Sequence, residues 1–273
     1  MLSRPIPASG EALPVIGCGT YGGFDVDPGS AAYARLPDVI EALTAAGGRV
    51  LDSSPMYGRA EAVVGELLTT SAAGRRVFLA SKVWTHGAAA GERQMAQSLR
   101  RLGVDCIDLM QVHNLVDWRT HLSTLRDWKA QGRVRYVGVT HYSASAYDEL
   151  ERVMRREPLD FVQVNFALDD RAAGERILPL AAERGMAVLI NLPFGAGRLL
   201  ARLRGRALPA WAGEIGAATW PQLLLKFVLS RPEVTCVIPG SGNPEHMRDN
   251  VAAGRETPPP PEFWRGRVES ILT

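Results

Sequence analysis

"CIDLMQVHNLVDWRTHLSTLRDWKAQGRVRYVGVTH", residues 106–141, is the stretch that decides the fold. Two short apolar runs, 106–113 and 134–141, flank a segment, 120–132, whose apolar residues recur at helical spacing and which stops at Gly132. Apolar runs without strict alternation are covered on both faces, which is the signature of parallel strands. Parallel neighbours need a long crossover between them, and the helical segment supplies it. The unit repeats outward in both directions. Strand-like runs occur at 13–19, 48–53, 77–83, 160–166, 186–192 and 234–240. Helical stretches lie at 36–47, 60–70, 92–103, 143–157, 174–185 and 219–231. Ser143 or Ser145 is expected to cap the fifth helix, with Asp148 closing a capping box from Ser145.

Eight such units in about 250 residues are expected to close into a (β/α)8 TIM barrel, α/β in class, as one domain over 1–273. Residues 1–16 hold a predicted β-hairpin around Ser9 and Gly10 that closes the barrel floor and leads into the first strand. Residues 255–273 form a C-terminal tail, a proline spacer before a final helix. The segment 195–216 reads as an extended loop or short helix. A doubly wound open sheet is the competing architecture, and it would show a glycine fingerprint leading into a helix after the first strand. "VIGCGTYGG" (15–23) has the glycines but no helix at that spacing.

Bulk properties narrow the function classes. The 273 residues are 46% hydrophobic and 22% charged, with net charge +2. A chain of this size buries a substantial core without staples. Near-neutral charge, and no basic run interleaved with aromatics, argue against nucleic acid as a partner. No apolar stretch is long enough for a bilayer span. The N-terminus lacks the apolar segment of a secretory signal, so the expected location is cytoplasmic, although a chain cut after a removed export signal would begin the same way. Cys18, Cys106 and Cys236 are odd in number and each sits in an apolar run, as reduced core thiols do. Lysine is scarce: Lys82, Lys129 and Lys226 are the three among 31 Lys and Arg. A lysine inside a strand therefore asks for a reason. Lys226 reads as snorkelling from an apolar helix and Lys129 as a solvated helix charge.

Barrels place chemistry at the carboxyl ends of their strands. Those ends carry Asp52, Lys82 and His113, with Tyr57 in the loop just past Asp52. Neighbouring strands lie about 5 Å apart, so the four side chains can share one rim. Singly, each has a plain structural use: a capping acid, a packing phenol, a paired ammonium, a core imidazole. Together they suit carbonyl reduction. An ammonium beside a phenol is expected to lower its pKa, and a carboxylate keeps that ammonium charged. The imidazole holds a carbonyl oxygen where negative charge develops, with hydride supplied by a cofactor.

In these residues the chain resembles the aldo-keto reductase superfamily. Asp52 and Tyr57 stand in "LDSSPMYG", Lys82 in "FLASKVW" and His113 in "DLMQVHN". The likeness runs from about Leu13 to Ala253. It implies a NAD(P)H-dependent oxidoreductase that reduces an aldehyde or ketone to an alcohol, with Tyr57 as general acid, Lys82 and Asp52 tuning it, and His113 orienting the carbonyl. It also implies a dinucleotide across the barrel mouth. Thr140, His141 and Gln163 would grip the carboxamide, with His141 a departure from the usual asparagine and Asn165 on the same wall. Asn191 stands near the position of the aromatic that many relatives stack under the nicotinamide, and Phe194 follows it. The backbone of Gly195, Ala196 and Gly197, with Arg198, offers donors to a pyrophosphate. Ser241, Asp249 and Asn250 match the family's phosphate and adenine contacts. Gly240 and His246 replace the lysine and arginine that relatives place nearby, which weakens the grip on a 2′-phosphate. NADP(H) is the expected cofactor and NAD(H) the alternative.

Phe24, Met56, Trp84, Asn114 and Trp118 flank the four groups as candidate walls of a substrate pocket, with the short tail leaving that pocket open. The expected partner is a small-molecule carbonyl compound, on a monomer or weak homo-oligomer, with no metal. Two other readings stay open on the same residues. One is a cofactor-sensing regulatory or interaction protein. The other is a metal-dependent barrel hydrolase using Asp52, His113 and His141.

Overall fold

A computed structural model describes residues 1–70 and 77–272 of the chain. Thr273, the last residue of the predicted tail, lies outside the described residues. The chain starts as an antiparallel hairpin, β1 (Ser3–Pro5) and β2 (Ala12–Pro14), with Ser3 opposite Pro14. Eight parallel strands follow: β3 (Cys18–Gly19), β4 (Val50–Asp52), β5 (Phe78–Val83), β6 (Ile107–His113), β7 (Val134–His141), β8 (Phe161–Asn165), β9 (Ala187–Asn191) and β10 (Cys236–Val237). They pair in chain order. Backbone bonds join the two ends of the sheet: Gly17 N donates to Val237 O at 2.9 Å and Gly19 N to Pro239 O at 3.2 Å. The result is the (β/α)8 barrel that the repeating unit predicts. The run 13–19, expected as one strand, is shared between two sheets. Val15 makes the switch: its N–H still donates to Leu2 O of the hairpin at 3.0 Å, while its carbonyl accepts from Val237 N of the barrel wall at 2.9 Å.

The covering helices are α1 (Leu36–Ala45), α2 (Ala60–Thr70), α3 (Ala88–Leu102), α4 (Trp118–Ala130), α5 (Tyr147–Arg156), α6 (Ala172–Glu183), α7 (Arg198–Leu203), α8 (Trp220–Leu229), α9 (Pro244–Ala252) and α10 (Arg267–Leu272). Starts follow local chemistry in several places. Thr219 caps α8 by accepting from Gln222 N, and Asn243 caps α9 by accepting from Glu245 N, each with proline in the first turn. The capping expected at α5 is corrected. Ser143 caps a short 3-10 turn (144–146) ahead of the helix, and α5 itself begins after Ala146 with no side-chain cap. Asp148 closes no capping box and instead pairs with Arg176 of α6 at 2.6 Å, because the inserted turn carries Ser145 away from the helix start.

Apolar packing falls into two bodies. The larger lies between helices and sheet. The smaller fills the barrel lumen, where Ile6 and Leu13 of the hairpin segment meet Val50, Phe78, Leu109, Phe161 and Leu189. Full burial of such a side chain stabilises the fold by about 1.5–3 kcal/mol. Polar contacts fasten this floor. Glu11 accepts from Arg49 and from the Tyr136 hydroxyl, each at 2.8 Å. Arg4 donates to the carbonyls of Leu229 and Arg231 at 2.6 and 2.8 Å, filling acceptors that the end of α8 leaves open. With one end of the lumen sealed, the open end is the one where the strands finish. The tail does not cover it: Trp264 packs on Phe227 of α8 and on Trp211, along the outer wall. Among the described residues no helix is long and apolar enough to cross a membrane.

Candidate active site

The three strand-end groups and the Tyr57 phenol meet. Lys82 is fully buried, and its ammonium donates to both carboxylate oxygens of Asp52 and to the Ser53 carbonyl, each at 2.7 Å. The same nitrogen lies 5.2 Å from the centre of the Tyr57 ring. His113 packs edge-on to Tyr57 with ring centres 5.9 Å apart. Strand register explains the convergence: β4, β5 and β6 are consecutive neighbours, and each contributes at or near its last residue. The loop after β4 is pinned on both sides of the phenol. Tyr57 N donates to Ser54 O at 3.0 Å, and Arg59 N to the Asp25 carboxylate at 2.9 Å. Gly58, between them, has φ +59°, and a Cβ there would lie 2.3 Å from that carboxylate. Only glycine fits this turn.

Burial dominates the electrostatics. By itself it would lower the Lys82 pKa, but Asp52, with Tyr57, more than offsets it and holds the ammonium above its ordinary range. Burial pushes the Asp52 carboxyl upward while Lys82 and Gln163 pull it down. The Tyr57 phenol corrects an expectation. Lys82 pulls its pKa down as anticipated, yet burial, aided by Asp52, outweighs that pull and the net direction is up. The phenol therefore holds its proton across neutral pH. His113 is pushed down to about 3 by burial, then by Lys82 and His141, so its ring is neutral.

Other predicted residues divide into free and committed groups. Met56 and Trp84 are exposed at the mouth. Phe24 and Trp118 are corrected from pocket wall to core: Phe24 is fully enclosed, and Trp118 packs under α5 with its indole N–H on Glu149 at 3.0 Å. Asn114 Oδ1 is buried without a partner among the described residues, in a tight loop where Asn114, Leu115 and Asp117 all have positive φ. Gln163 accepts from Gln111 at 2.8 Å and donates to Asp52 at 3.4 Å, so its amide is engaged inside the barrel. Asn165 donates to Asp170 and accepts from the Tyr147 hydroxyl. His141 accepts from Ser143 N and stacks on Tyr142. Thr140 is the direct register partner of His113 on one side and of Gln163 on the other. Asn191, beside Asn165, has a buried Oδ1 with no partner among the described residues.

Farther along the mouth, Phe194 packs against the main core, while Gly197 and Arg198 are exposed at the start of α7 and Gly195 is buried. Ser241 and Asn250 are buried, and His246 is exposed on α9. Asp249 accepts from Thr219 and Gln222, which ties α9 to α8. Three contacts escaped the sequence reading: Ser54, which touches His113; Gln111; and Tyr21, edge-on to Tyr57 at 5.1 Å and 71% exposed. A serine and a tyrosine in loops carry no periodic signal. A glutamine inside the apolar run 106–113 did carry one.

Lys226 is also corrected. It is buried with no hydrogen-bond partner among the described residues, its ammonium 3.7 Å from Glu256, and burial lowers its pKa. Lys129 pairs with Asp160 at 2.6 Å on the surface. Cys18 and Cys236 are buried free thiols and Cys106 a partly exposed one. Among the described residues no group of three or more His, Cys, Asp or Glu is placed to hold a metal. Both oxygens of Asp52 are already engaged by Lys82.

Fold and mouth together define a (β/α)8 barrel carrying groups suited to proton transfer. Over residues 15–266 the chain matches the family model described as "Aldo/keto reductase family". Methylglyoxal reductase YeaE of Escherichia coli (strain K12) is 32% identical over 264 residues, 92% of this chain and 89% of that protein. The NADH-specific methylglyoxal reductase of the same organism is 24% identical over 312 residues, 93% of each. The crystal structure of an aldo/keto reductase from Klebsiella pneumoniae in complex with NADP and acetate superposes with a TM-score of 0.82 at 26% identity, covering 99% of this chain and 95% of that one. The chain belongs to the aldo/keto reductase family and is a NAD(P)H-dependent oxidoreductase.

Proposed function

We propose that Tyr57 is the proton donor for reduction of an aldehyde or ketone, with Lys82, Asp52 and His113 completing the site. The observation that carries this reading is the buried Lys82 ammonium, gripped by Asp52 at 2.7 Å and lying 5.2 Å from the Tyr57 ring. As the carbonyl oxygen gains charge, the phenol transfers its proton and the ammonium stabilises the phenolate left behind. Asp52 keeps that ammonium charged in a site where burial opposes charge. Neutral His113 donates an N–H to the same oxygen and holds it toward Tyr57. Tyr21, edge-on to Tyr57, and the exposed apolar side chains of Met56 and Trp84 would hold the substrate's carbon skeleton.

The residues present fit a nicotinamide carboxamide. Asn191 Oδ1 is a buried acceptor lacking a donor among the described residues, the role an amide N–H fills, and Thr140 lies on β7, with β8 between it and Asn191. Gly197, where a Cβ would meet nothing within 4 Å, leaves open backbone for a pyrophosphate. The bound dinucleotide supplies the hydride. NADP(H) is the first expectation, with NAD(H) the alternative, since Arg248 on α9 is paired with Glu245. All four acid–base groups come from one chain, so a monomer or weak homo-oligomer suffices. Three free thiols suit the cytoplasm.

The test follows NADPH and NADH oxidation with a panel of carbonyl compounds that includes methylglyoxal and an aromatic aldehyde. Tyr57→Phe should lose about 10²–10⁴-fold in turnover, while cofactor binding, read by fluorescence, is unchanged. Full turnover in the variant would remove Tyr57 as the acid. Cofactor binding with no reduction of any panel member would favour the cofactor-sensing role instead.

A further inference from the structure

Ser54 ends its strand-to-loop turn with no exposure, and its Oγ lies 3.0 Å from His113 Nδ1. We propose that Ser54 is a positioning residue: its hydroxyl donates to Nδ1 and holds His113 in the tautomer whose proton is on Nε2. A serine hydroxyl has one proton to give and two lone pairs to accept with. One lone pair faces the N–H of Met56 at 3.4 Å. Among the described residues, Nδ1 is then the remaining hydrogen-bond partner of that oxygen, so the hydroxyl proton has Nδ1 as its acceptor.

The opposite tautomer would place the imidazole proton on Nδ1, pointing at the serine oxygen. The hydroxyl proton would then be buried with no acceptor, a cost that the observed arrangement avoids. His113 is enclosed and near the Lys82 ammonium, so its ring carries a single proton and that proton must sit on one nitrogen or the other. Nε2 has no protein partner among the described residues, which leaves its N–H for a ligand. Resting on the reading of the preceding subsection, the consequence is direct: a carbonyl oxygen at the mouth meets a donor, where the wrong tautomer would present a lone pair. The same residue also sets the phenol, since Ser54 O accepts from Tyr57 N at 3.0 Å.

The test uses the whole chain labelled with 15N-histidine, with the His113 signals assigned by their loss in His113→Gln. In the wild-type chain Nδ1 should show the shift of an unprotonated acceptor and Nε2 that of a protonated nitrogen, without cofactor or substrate. In Ser54→Ala the two tautomers should mix, and kcat/KM for the carbonyl compound should fall on the order of tenfold with cofactor affinity unchanged. A proton on Nδ1 in the wild-type chain would overturn the proposal. So would an unchanged tautomer in Ser54→Ala. Because the spectrum is read without turnover, a tautomer that follows Ser54 in a chain that reduces no carbonyl would uphold the positioning and overturn only the reaction.

Discussion

At the scale of single residues, His113 shows how burial sets chemistry. Its pKa falls from 6.5 to about 3, because the enclosed ring beside Lys82 resists a second proton. The unfolded chain has no such restriction and takes that proton near 6.5. As pH drops below about 6.5 the unfolded state therefore binds more protons, and stability declines down to about 3. Urea unfolding at pH 8 and pH 5 should show a lower midpoint at pH 5. In His113→Gln that difference should shrink, and an identical difference in both chains would deny the depressed pKa. The same neutrality predicts no histidine inflection in the rate of carbonyl reduction near pH 6.5. Tyr57, raised above its ordinary value of 10, stays loaded with its proton, and reduction should fail only at strongly alkaline pH as the phenol ionises.

At the scale of elements, α2 holds the site in register. Glu61, in its first turn, is buried and accepts from Ser81 at 2.6 Å, one residue before Lys82 on β5. Its other oxygen meets Arg101 of α3 at 3.4 Å. The helix can come this close because Gly65 faces the end of α3, where a Cβ would lie 2.1 Å from the Arg101 carbonyl. Gly65→Ala must push the two helices apart and should destabilise the chain by about 1–3 kcal/mol, measured by denaturant unfolding. An unchanged midpoint would mean the contact yields freely. Loops carry a different signature. Among the described residues, the five non-glycine positions with positive φ (Asn114, Leu115, Asp117, Leu192 and Ala196) follow β6 or β9 at the mouth. Such backbone costs energy and persists where surrounding structure enforces it, commonly at functional sites.

For the molecule as a whole, the hairpin decides which end of the barrel is open. Ile6 and Leu13 close the lumen from below, and Glu11 ties the hairpin to β7 through Tyr136 and to Arg49. Leu13→Ala should cost about 2–5 kcal/mol, the range for a cavity in a packed core, as read by chemical denaturation. Cofactor affinity in the folded population should be retained, because the substitution lies at the opposite end from Tyr57. A loss of cofactor binding at full foldedness would contradict that separation.

Several features were readable in the amino-acid order alone: the eight strands, the crossovers, the floor hairpin, and the placing of Asp52, Lys82 and His113 at strand ends. The reason is local, since strand length, apolar coverage and stop residues are written in neighbouring positions. Other features awaited the folded chain. That Gln163 turns inward, that Phe24 and Trp118 are core, and that Asp249 clamps two helices depend on partners far away in sequence. The upward shift of Tyr57 and the Ser54 hydroxyl on His113 belong to the same group. Burial and hydrogen bonding are properties of what surrounds a group in space. A strand end fixes where a side chain starts, and only packing fixes what it meets.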